Sequence, residues 1–230
     1  MTAPLDHKAT AEKVVRSLAA TPNILLASAQ LEVIGGPDPR DDLVRRALER
    51  SAEVVRACTD LGQSNNPTAL GVLARAHLEA LIQMLWVTLS SENAVELSQG
   101  RSNEVVRMAR INMQSGKLRV VNKITGGDET KKFLSDDRMK IKSRRKSVEA
   151  YAEEAGVKDL YNVFYRFMSL DVHGHNTDAV PETSDWQLTA MHLQGIGGLT
   201  QALGHTGIRW LLHRQRPTNE ELRALLGLPQ

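Results

Sequence analysis

Apolar residues recur along most of the chain with the 3.6-residue period of an amphipathic α-helix. The two-residue period of a half-buried strand, rich in Val, Ile, Thr and aromatic residues, is nearly absent. Helices are predicted over residues 10–20, 21–36, 40–61, 67–89, 91–122, 157–173 and 184–214, with a short last helix after residue 218. The pattern therefore predicts an all-α fold, a bundle of four or five long helices.

The stretch of residues 67–89 is apolar on nearly every side. Asn66 and Pro67 supply an N-cap followed by proline at the first helical position. A helix that is hydrophobic all round belongs in a core, so this one is predicted to be the largely buried central helix. Polar and charged residues interrupt its apolar run at Arg75, His77, Glu79 and Gln83. A membrane span needs about 18 uninterrupted apolar residues, so no membrane association is expected.

The composition changes this picture only slightly. The chain has 230 residues, 41% of them hydrophobic, which is enough for one large core. No linker-like or repeated segment divides it, so residues 1–230 are predicted to form one domain, with residues 1–38 as an N-terminal helical extension. Charged residues near the N-terminus argue against a signal peptide, and the lone Cys58, expected to be inert, fits a reducing compartment. A soluble cytoplasmic protein is therefore expected.

Positive charge is concentrated in one segment, although the net charge is only +2. Residues 117–146, called the basic segment below, include a dense group of cations: Arg138, Lys140, Lys142, Arg144, Arg145 and Lys146. Such a group can bind nucleic acid through its phosphates. The alternative is a solvated basic loop, because no aromatic residue is interleaved for base stacking. The sequence leaves both interpretations open.

The stretch LYNVFYRFMSLDVHGHN, residues 160–176, places polar groups among large apolar side chains. On an α-helix, four of them fall within an arc of about 60°: Asn162, Arg166, Ser169 and His173. The apolar central helix carries Arg75 and Glu79 one turn apart, and charges in such a helix are costly unless paired. We therefore expect Glu79 to face Arg75, Arg166 or His173 in one shared polar cluster.

The pattern Arg75-x-x-x-Glu79, followed by Tyr165-Arg166-x-x-Ser169-x-x-x-His173, resembles an uncharacterised family of all-helical bacterial proteins. It is also similar to HEPN domains, helical bundles that often act as metal-independent ribonucleases. The resemblance extends over residues 40–210 and implies a HEPN-like fold, a homodimer and no metal or cofactor. It implies Arg166 and His173 as the catalytic pair. The supporting residues would be Arg75, Glu79, Tyr165 and Ser169.

Such a pair suits RNA cleavage without metal, since histidine transfers protons near neutral pH and arginine binds phosphate oxygens. The first predicted function is therefore an RNA-binding protein or metal-independent endoribonuclease, of a toxin or defence system. The second is a non-catalytic helical interaction or small-ligand-binding protein, in which the Arg/Glu/His cluster is structural. Phe167, where HEPN nucleases usually carry a polar residue, favours the second function. The basic segment favours the first.

Other signals are weaker. His173 and His175 diverge on a continuous helix, and only a turn after Gly174 would let them share a metal with another ligand. The candidate ligands in that case are Asp171, Asp178 and His192. The remaining helical histidines (His77, His205 and His213) are expected to be core or surface residues. Glycines between residues 195 and 207 predict close helix contacts, with a dimer seam as one alternative.

Overall fold

The computed structural model describes residues 6–136, 146–165 and 185–215. Its helices are α1 (His7–Leu18), α2 (Thr21–Ala29), α3 (Pro39–Gln63), α4 (Pro67–Leu89), α5 (Ser91–Gln114), α6 (Thr130–Ser135), α7 (Val148–Glu154), α8 (Lys158–Leu160) and α9 (Asp185–Arg214). A π-helical turn, Tyr161–Tyr165, continues α8. Within the described ranges the one β feature is an isolated antiparallel bridge between Val121 and Asp128. The predicted all-α class is confirmed.

The described residues divide into two compact units. The core unit lies within Met1–Ser91 and Val148–Gln230, and the basic unit is Glu92–Ser147. Most of the long-range packing in the core unit is among α1, α2, α3, α4, α7 and α9. The basic unit contains almost all of α5, all of α6 and the described ends of the basic segment.

Helix α4 is the centre of the core unit, as predicted. It packs against α3, α7 and α9. Its fully buried large side chains are Leu70, Leu78, Leu81, Ile82 and Trp86. Among the described helices α4 alone is long and apolar enough to cross a membrane, but 61% of that stretch is buried inside the fold. This burial is what a core helix requires, because an all-round apolar surface is stable only when covered by protein.

The start of α4 follows the predicted capping. The Asn66 side-chain oxygen accepts a hydrogen bond from the backbone N–H of Ala69 at 3.1 Å, with Pro67 at the first helical position. Helix α1 has the same kind of cap and begins three residues before the predicted start at residue 10. The Asp6 carboxylate accepts from the N–H of Ala9 at 3.0 Å, so the helix begins at His7.

Helix α2 ends at Ala29, well before the predicted end near residue 36. The backbone N–H groups of Gln30 and Leu31 donate to the carbonyls of Ala27 and Ser28 at 3.2 and 3.1 Å. The Arg45 guanidinium of α3 donates to the next free carbonyls, those of Ala29 and Leu31, the latter at 2.6 Å. Local backbone bonds and a distant side chain together satisfy this helix end.

The last turn of α9 is bound to the start of α3. Asp41 is buried and accepts hydrogen bonds from Trp210 Nε1 at 2.9 Å and from Arg214 Nε at 3.2 Å. Arg214 also donates to the Gly36 carbonyl, and its own carbonyl accepts from the N–H of Ile34 at 3.1 Å. These contacts fix the loop before α3 on the end of α9, which reaches Arg214 as predicted.

Two of the glycines in α9 make the close helix contacts that the sequence predicted. A Cβ at Gly207 would lie 2.9 Å from Leu48 Cδ2, and a Cβ at Gly204 would lie 3.1 Å from Leu25 Cδ2. Gly195 and Gly198, by contrast, face no atom within 4 Å. The close contacts are therefore made within the chain, and a dimer seam at this helix stays a prediction.

In the basic unit, α5 stops at Gln114, and Gly116 follows with a positive φ of 72°. The prediction of a helix to residue 122 was therefore too long, while the predicted break at residues 125–129 is correct. The Asn122 side-chain oxygen organises the intervening turn, since it accepts from the N–H groups of Ile124 at 2.8 Å and Thr125 at 3.1 Å. An Asn side chain replaces backbone partners in this way at turns.

Candidate functional site

Tyr165 and Arg75, 90 positions apart in the chain, meet in the core unit. Arg75 Nη2 donates a hydrogen bond of 2.6 Å to the Tyr165 hydroxyl. The guanidinium carbon of Arg75 also lies 4.5 Å from the centre of the Tyr165 ring. A cation over an aromatic face is attracted by the ring quadrupole, so the two contacts reinforce each other. Helix α4 and the π-helical turn are thus joined through two of the predicted site residues.

Glu79 completes this cluster. Arg75 Nε lies 3.6 Å from Glu79 Oε1, one turn along α4. At that distance the contact is an ion pair rather than a short hydrogen bond. The Arg75 and Glu79 side chains are 23% and 30% exposed, so the cluster is reached by solvent on one side. The prediction that Glu79 faces Arg75 is confirmed.

Tyr165 is kept in its neutral form by these surroundings. Burial raises the pKa of Tyr165 above its ordinary value of 10.0. The Arg75 hydrogen bond acts in the opposite direction, while the negative charge of Glu79 raises the pKa further. At neutral pH the phenol therefore retains its proton and can donate it in a hydrogen bond.

The π-helical turn changes the predicted arrangement of side chains around residues 161–165. Two of its apolar side chains, Val163 and Phe164, are 63% and 40% exposed. A π-turn bonds residue i to i+5, so its side chains do not follow the 100° spacing of an α-helix. The same turn stacks Tyr161 on Tyr165, with ring centres 4.6 Å apart. Tyr161 was not among the predicted site residues, although two tyrosines four residues apart in the sequence could have indicated the pair.

Asn162 lies in the same turn and leaves a polar atom without a partner. Its side-chain oxygen is buried and accepts no hydrogen bond in the part of the chain that the structure describes. Most buried polar atoms in proteins are bonded, so such an atom calls for an explanation. π-turns are also found frequently at functional sites. Together these features indicate a functional surface at residues 161–165.

The structure tests the other predicted residues only in part. Arg166, Ser169 and His173 lie outside the described residues, so their convergence with Arg75 stays a prediction. The same holds for Arg138, Lys140, Lys142, Arg144 and Arg145, and for the alternative ligands Asp171, His175 and Asp178. Lys146 is described, and its Nζ lies 3.2 Å from Glu96 Oε2 within the basic unit. This ion pair partly neutralises the only member of the dense cationic group that can be placed.

Two further residues behave as the sequence indicated. His77 is buried, with Nε2 at 3.0 Å from Thr200 Oγ1 and 3.4 Å from Ser51 Oγ. Burial, helped by the positive charge of Arg50, lowers the pKa of His77 from 6.5 to about 4, so its ring is neutral. Burial also raises the pKa of Cys58 to about 12, which leaves an unreactive thiol. Both are core residues, in agreement with the predictions.

Fold and site together define an all-helical protein with an Arg–Glu–Tyr cluster between its central helix and a π-helical turn. Residues 41–181 match the model of a family of unknown function, DUF5677. The match takes in more than half of the chain, so the protein belongs to this family, and the prediction of an uncharacterised family is confirmed. No curated protein and no solved structure matches the chain.

Proposed function

We propose that the protein binds single-stranded RNA at the Arg75–Tyr165 cluster and cleaves it without metal, in the manner of HEPN endoribonucleases. The observation that supports this proposal is the position of Tyr165. It is bonded to Arg75 on the central helix, and it immediately precedes Arg166 in the chain. Arg166 is thus adjacent to the cluster in the chain, and the proposal puts the catalytic pair beside it.

In the proposed reaction, His173 takes the proton from a ribose 2′-OH, and the 2′ oxygen attacks the adjacent phosphorus. The bond to the 5′ oxygen breaks, and the protonated imidazole returns the proton to that leaving oxygen. Arg166 donates hydrogen bonds to the phosphate oxygens while negative charge accumulates on them. The products are a 2′,3′-cyclic phosphate and a 5′-OH, and the proton taken from the 2′-OH ends on the 5′ oxygen.

The described residues supply features that suit RNA binding. Proteins recognise unpaired RNA by stacking its bases on aromatic rings and on arginine planes. The exposed Phe164 and the half-buried Tyr161, which stacks on Tyr165, offer such rings within one turn. Arg75, which lies over the Tyr165 ring, holds this turn on the central helix.

The test is incubation of the full chain with mixed single-stranded RNA in EDTA. Wild type should release fragments with cyclic phosphate ends, and His173→Ala should reduce the rate at least about 100-fold while RNA binding is retained. Tyr165→Phe, which keeps the ring and removes the hydroxyl, should reduce cleavage to a smaller degree. His7→Ala, a change on α1, is the control and should cleave normally. Absence of metal-free cleavage by wild type, or equal cleavage by His173→Ala, would contradict the proposal.

The basic segment provides a second measurement. Lys146 is paired with Glu96, and Arg144 and Arg145 are the cations that precede it in the chain. Replacing both with Ala should weaken RNA binding and lower the salt dependence by about two units of slope, one for each lost phosphate contact. Lys146→Ala should change the slope less. Equal effects of all three residues would show that the Glu96 pair does not hold Lys146 away from RNA.

A second candidate function is a non-catalytic interaction protein, and one observation favours it. Arg75, Glu79 and Tyr165 already satisfy one another, as members of a structural network do. If the cluster is only structural, Arg75→Ala will lower the melting temperature and leave RNA binding unchanged. If the cluster binds RNA, the same variant will weaken RNA binding beyond what its loss of stability explains.

A further inference from the structure

A ridge of basic side chains crosses the exposed face of α9 near its C-terminal end. His205, Arg209 and His213 follow one another at intervals of four residues, so they lie on one side of the helix. All three are exposed. The side chains of such neighbours start about 5–6 Å apart, which lets one ligand group reach more than one of them.

Two hollows border this ridge and share its three residues. Among the described residues, the apolar side chains of Ile208 and Leu212 also line the first hollow, whose volume is about 510 Å³. Thr88, Thr206 and Trp210 are the further described residues that line the second, whose volume is about 350 Å³. Each hollow is of the size that small ligands occupy. The ridge thus offers cationic groups with an apolar surface beside them.

Arg209 differs from the other arginines around this end of α9. Arg214 is paired with Asp41 at 3.2 Å, and Arg40 is paired with Asp38 at 2.6 Å. Arg209 makes no ion pair or hydrogen bond with any residue that the structure describes. The carboxylate of Asp41 already accepts from Trp210 and Arg214, so it is not available to Arg209.

We propose that this ridge is a binding site for a small phosphate monoester with an apolar substituent. Arg209 donates two parallel hydrogen bonds to phosphate oxygens, the geometry for which a guanidinium is suited. The imidazole N–H groups of His205 and His213 bind the same phosphate from either side. The substituent lies in the first hollow, against Ile208 and Leu212. This site is separate from the Arg75–Tyr165 cluster and does not depend on RNA cleavage.

The experiment is a titration of the full chain with phenyl phosphate, followed by calorimetry and by amide NMR shifts. Wild type should bind phenyl phosphate saturably, and inorganic phosphate more weakly because it has no apolar group. Arg209→Gln should weaken both at least about tenfold. The matched control Arg46→Gln removes an exposed arginine of α3 and should bind as wild type does.

Two further variants separate the contributions within the site. Leu212→Ser, at a side chain that is 48% exposed, should remove the preference for phenyl phosphate over inorganic phosphate without weakening the latter. His213→Gln should weaken both ligands. A 5′-phosphorylated oligonucleotide compared with its 5′-hydroxyl form shows whether the phosphate can also be that of an RNA end. The proposal is overturned if wild type shows no saturable binding of phenyl phosphate, or if Arg209→Gln and Arg46→Gln bind it equally.

Discussion

The core unit and the basic unit differ in how many of their apolar side chains are exposed and in the sign of their net charge. In the core unit, side chains such as Leu48 and Leu78 are fully buried. In the basic unit, Ile124 is 95% exposed and Val105 is 67% exposed. The basic unit holds 14 Lys and Arg against 7 Asp and Glu, a charge of +7, while the rest of the chain holds 15 against 20, a charge of −5.

This difference indicates a division of roles. Apolar burial is the main source of folding free energy, so the stability of the protein resides in the core unit. Exposed apolar side chains among like charges contribute little to stability, and such surfaces commonly meet other molecules. We therefore expect substitutions in the core unit to change unfolding and substitutions in the basic unit to change binding. All three tryptophans, Trp86, Trp186 and Trp210, lie in the core unit, so their fluorescence reports on its unfolding.

The largest expected difference concerns two aliphatic truncations. Leu48→Ala removes a fully buried side chain that packs against Gly207, and it should lower the free energy of unfolding by about 3 kcal/mol. Ile124→Ala in the basic unit should change it by less than about 0.5 kcal/mol. Urea unfolding followed by tryptophan fluorescence measures both. Similar costs for the two variants would mean that the basic unit is as well packed as the core unit.

Acidification should lower the free energy of unfolding nearly as much as Leu48→Ala does. His77 is neutral in the folded protein because burial lowers its pKa from 6.5 to about 4. The unfolded chain binds a proton at this residue below pH 6.5, so stability falls as the pH decreases from about 6.5 to about 4, by about 3 kcal/mol in total. Urea midpoints over this range measure the loss. His77→Gln should flatten the curve, and His205→Gln, at an exposed histidine, should leave it unchanged.

A smaller loss is expected at the junction of α3 with the end of α9. Asp41→Asn keeps the shape of the side chain but removes the charge that Arg214 binds, and it should cost about 2 kcal/mol. The matched control is Asp42→Asn, the exposed neighbour on the same helix, which should be close to neutral. Thermal melts of wild type, Asp41→Asn and Asp42→Asn measure the two losses of stability. If the two variants melt together, the buried pair makes no net contribution to stability.

The smallest effect should be confined to the basic unit. Gly116 has a φ of 72°, a conformation that costs a residue with a Cβ about 1 kcal/mol or more. Gly116→Ala should therefore speed amide hydrogen exchange around the end of α5 and leave tryptophan fluorescence unfolding unchanged. Gly36→Ala, at a glycine without a positive φ and with open space around it, is the control. A shift of the fluorescence midpoint by Gly116→Ala would show that the two units unfold together.

The sequence predicted those features that depend on neighbouring residues. Asn66 and Pro67 mark the start of α4, and the spacing of Arg75 and Glu79 on an apolar helix predicts their pairing. The buried face of α3 is less evident from the sequence. Leu43 and Val54 are only half-buried, while Val44 and Leu48 are fully buried. Several apolar residues on α3 are adjacent, so the periodicity alone did not select the buried one.

Features set by distant contacts could not be predicted. The carbonyls of Ala29 and Leu31, after the early end of α2, are bound by Arg45 of α3. The π-helical turn has an ordinary helical sequence, and its hydrogen-bond register is not visible in the spacing of apolar residues. Its Tyr165 is held by Arg75, a residue of another helix. The candidate site could therefore be assigned to the right residue types, but its geometry depends on packing that the sequence pattern does not contain.

The π-helical turn has a consequence for how the family should be compared. A turn that bonds residue i to i+5 holds one more residue than an α-helical turn, so it is equivalent to a one-residue insertion in a helix. In a relative that lacks this residue, the side chain at the end of the turn would point about 100° away from Tyr165 here. Alignments of the family should therefore place their gaps within residues 161–165. The position of the Tyr165 side chain relative to Arg75 then distinguishes relatives that have the extra residue from those that lack it.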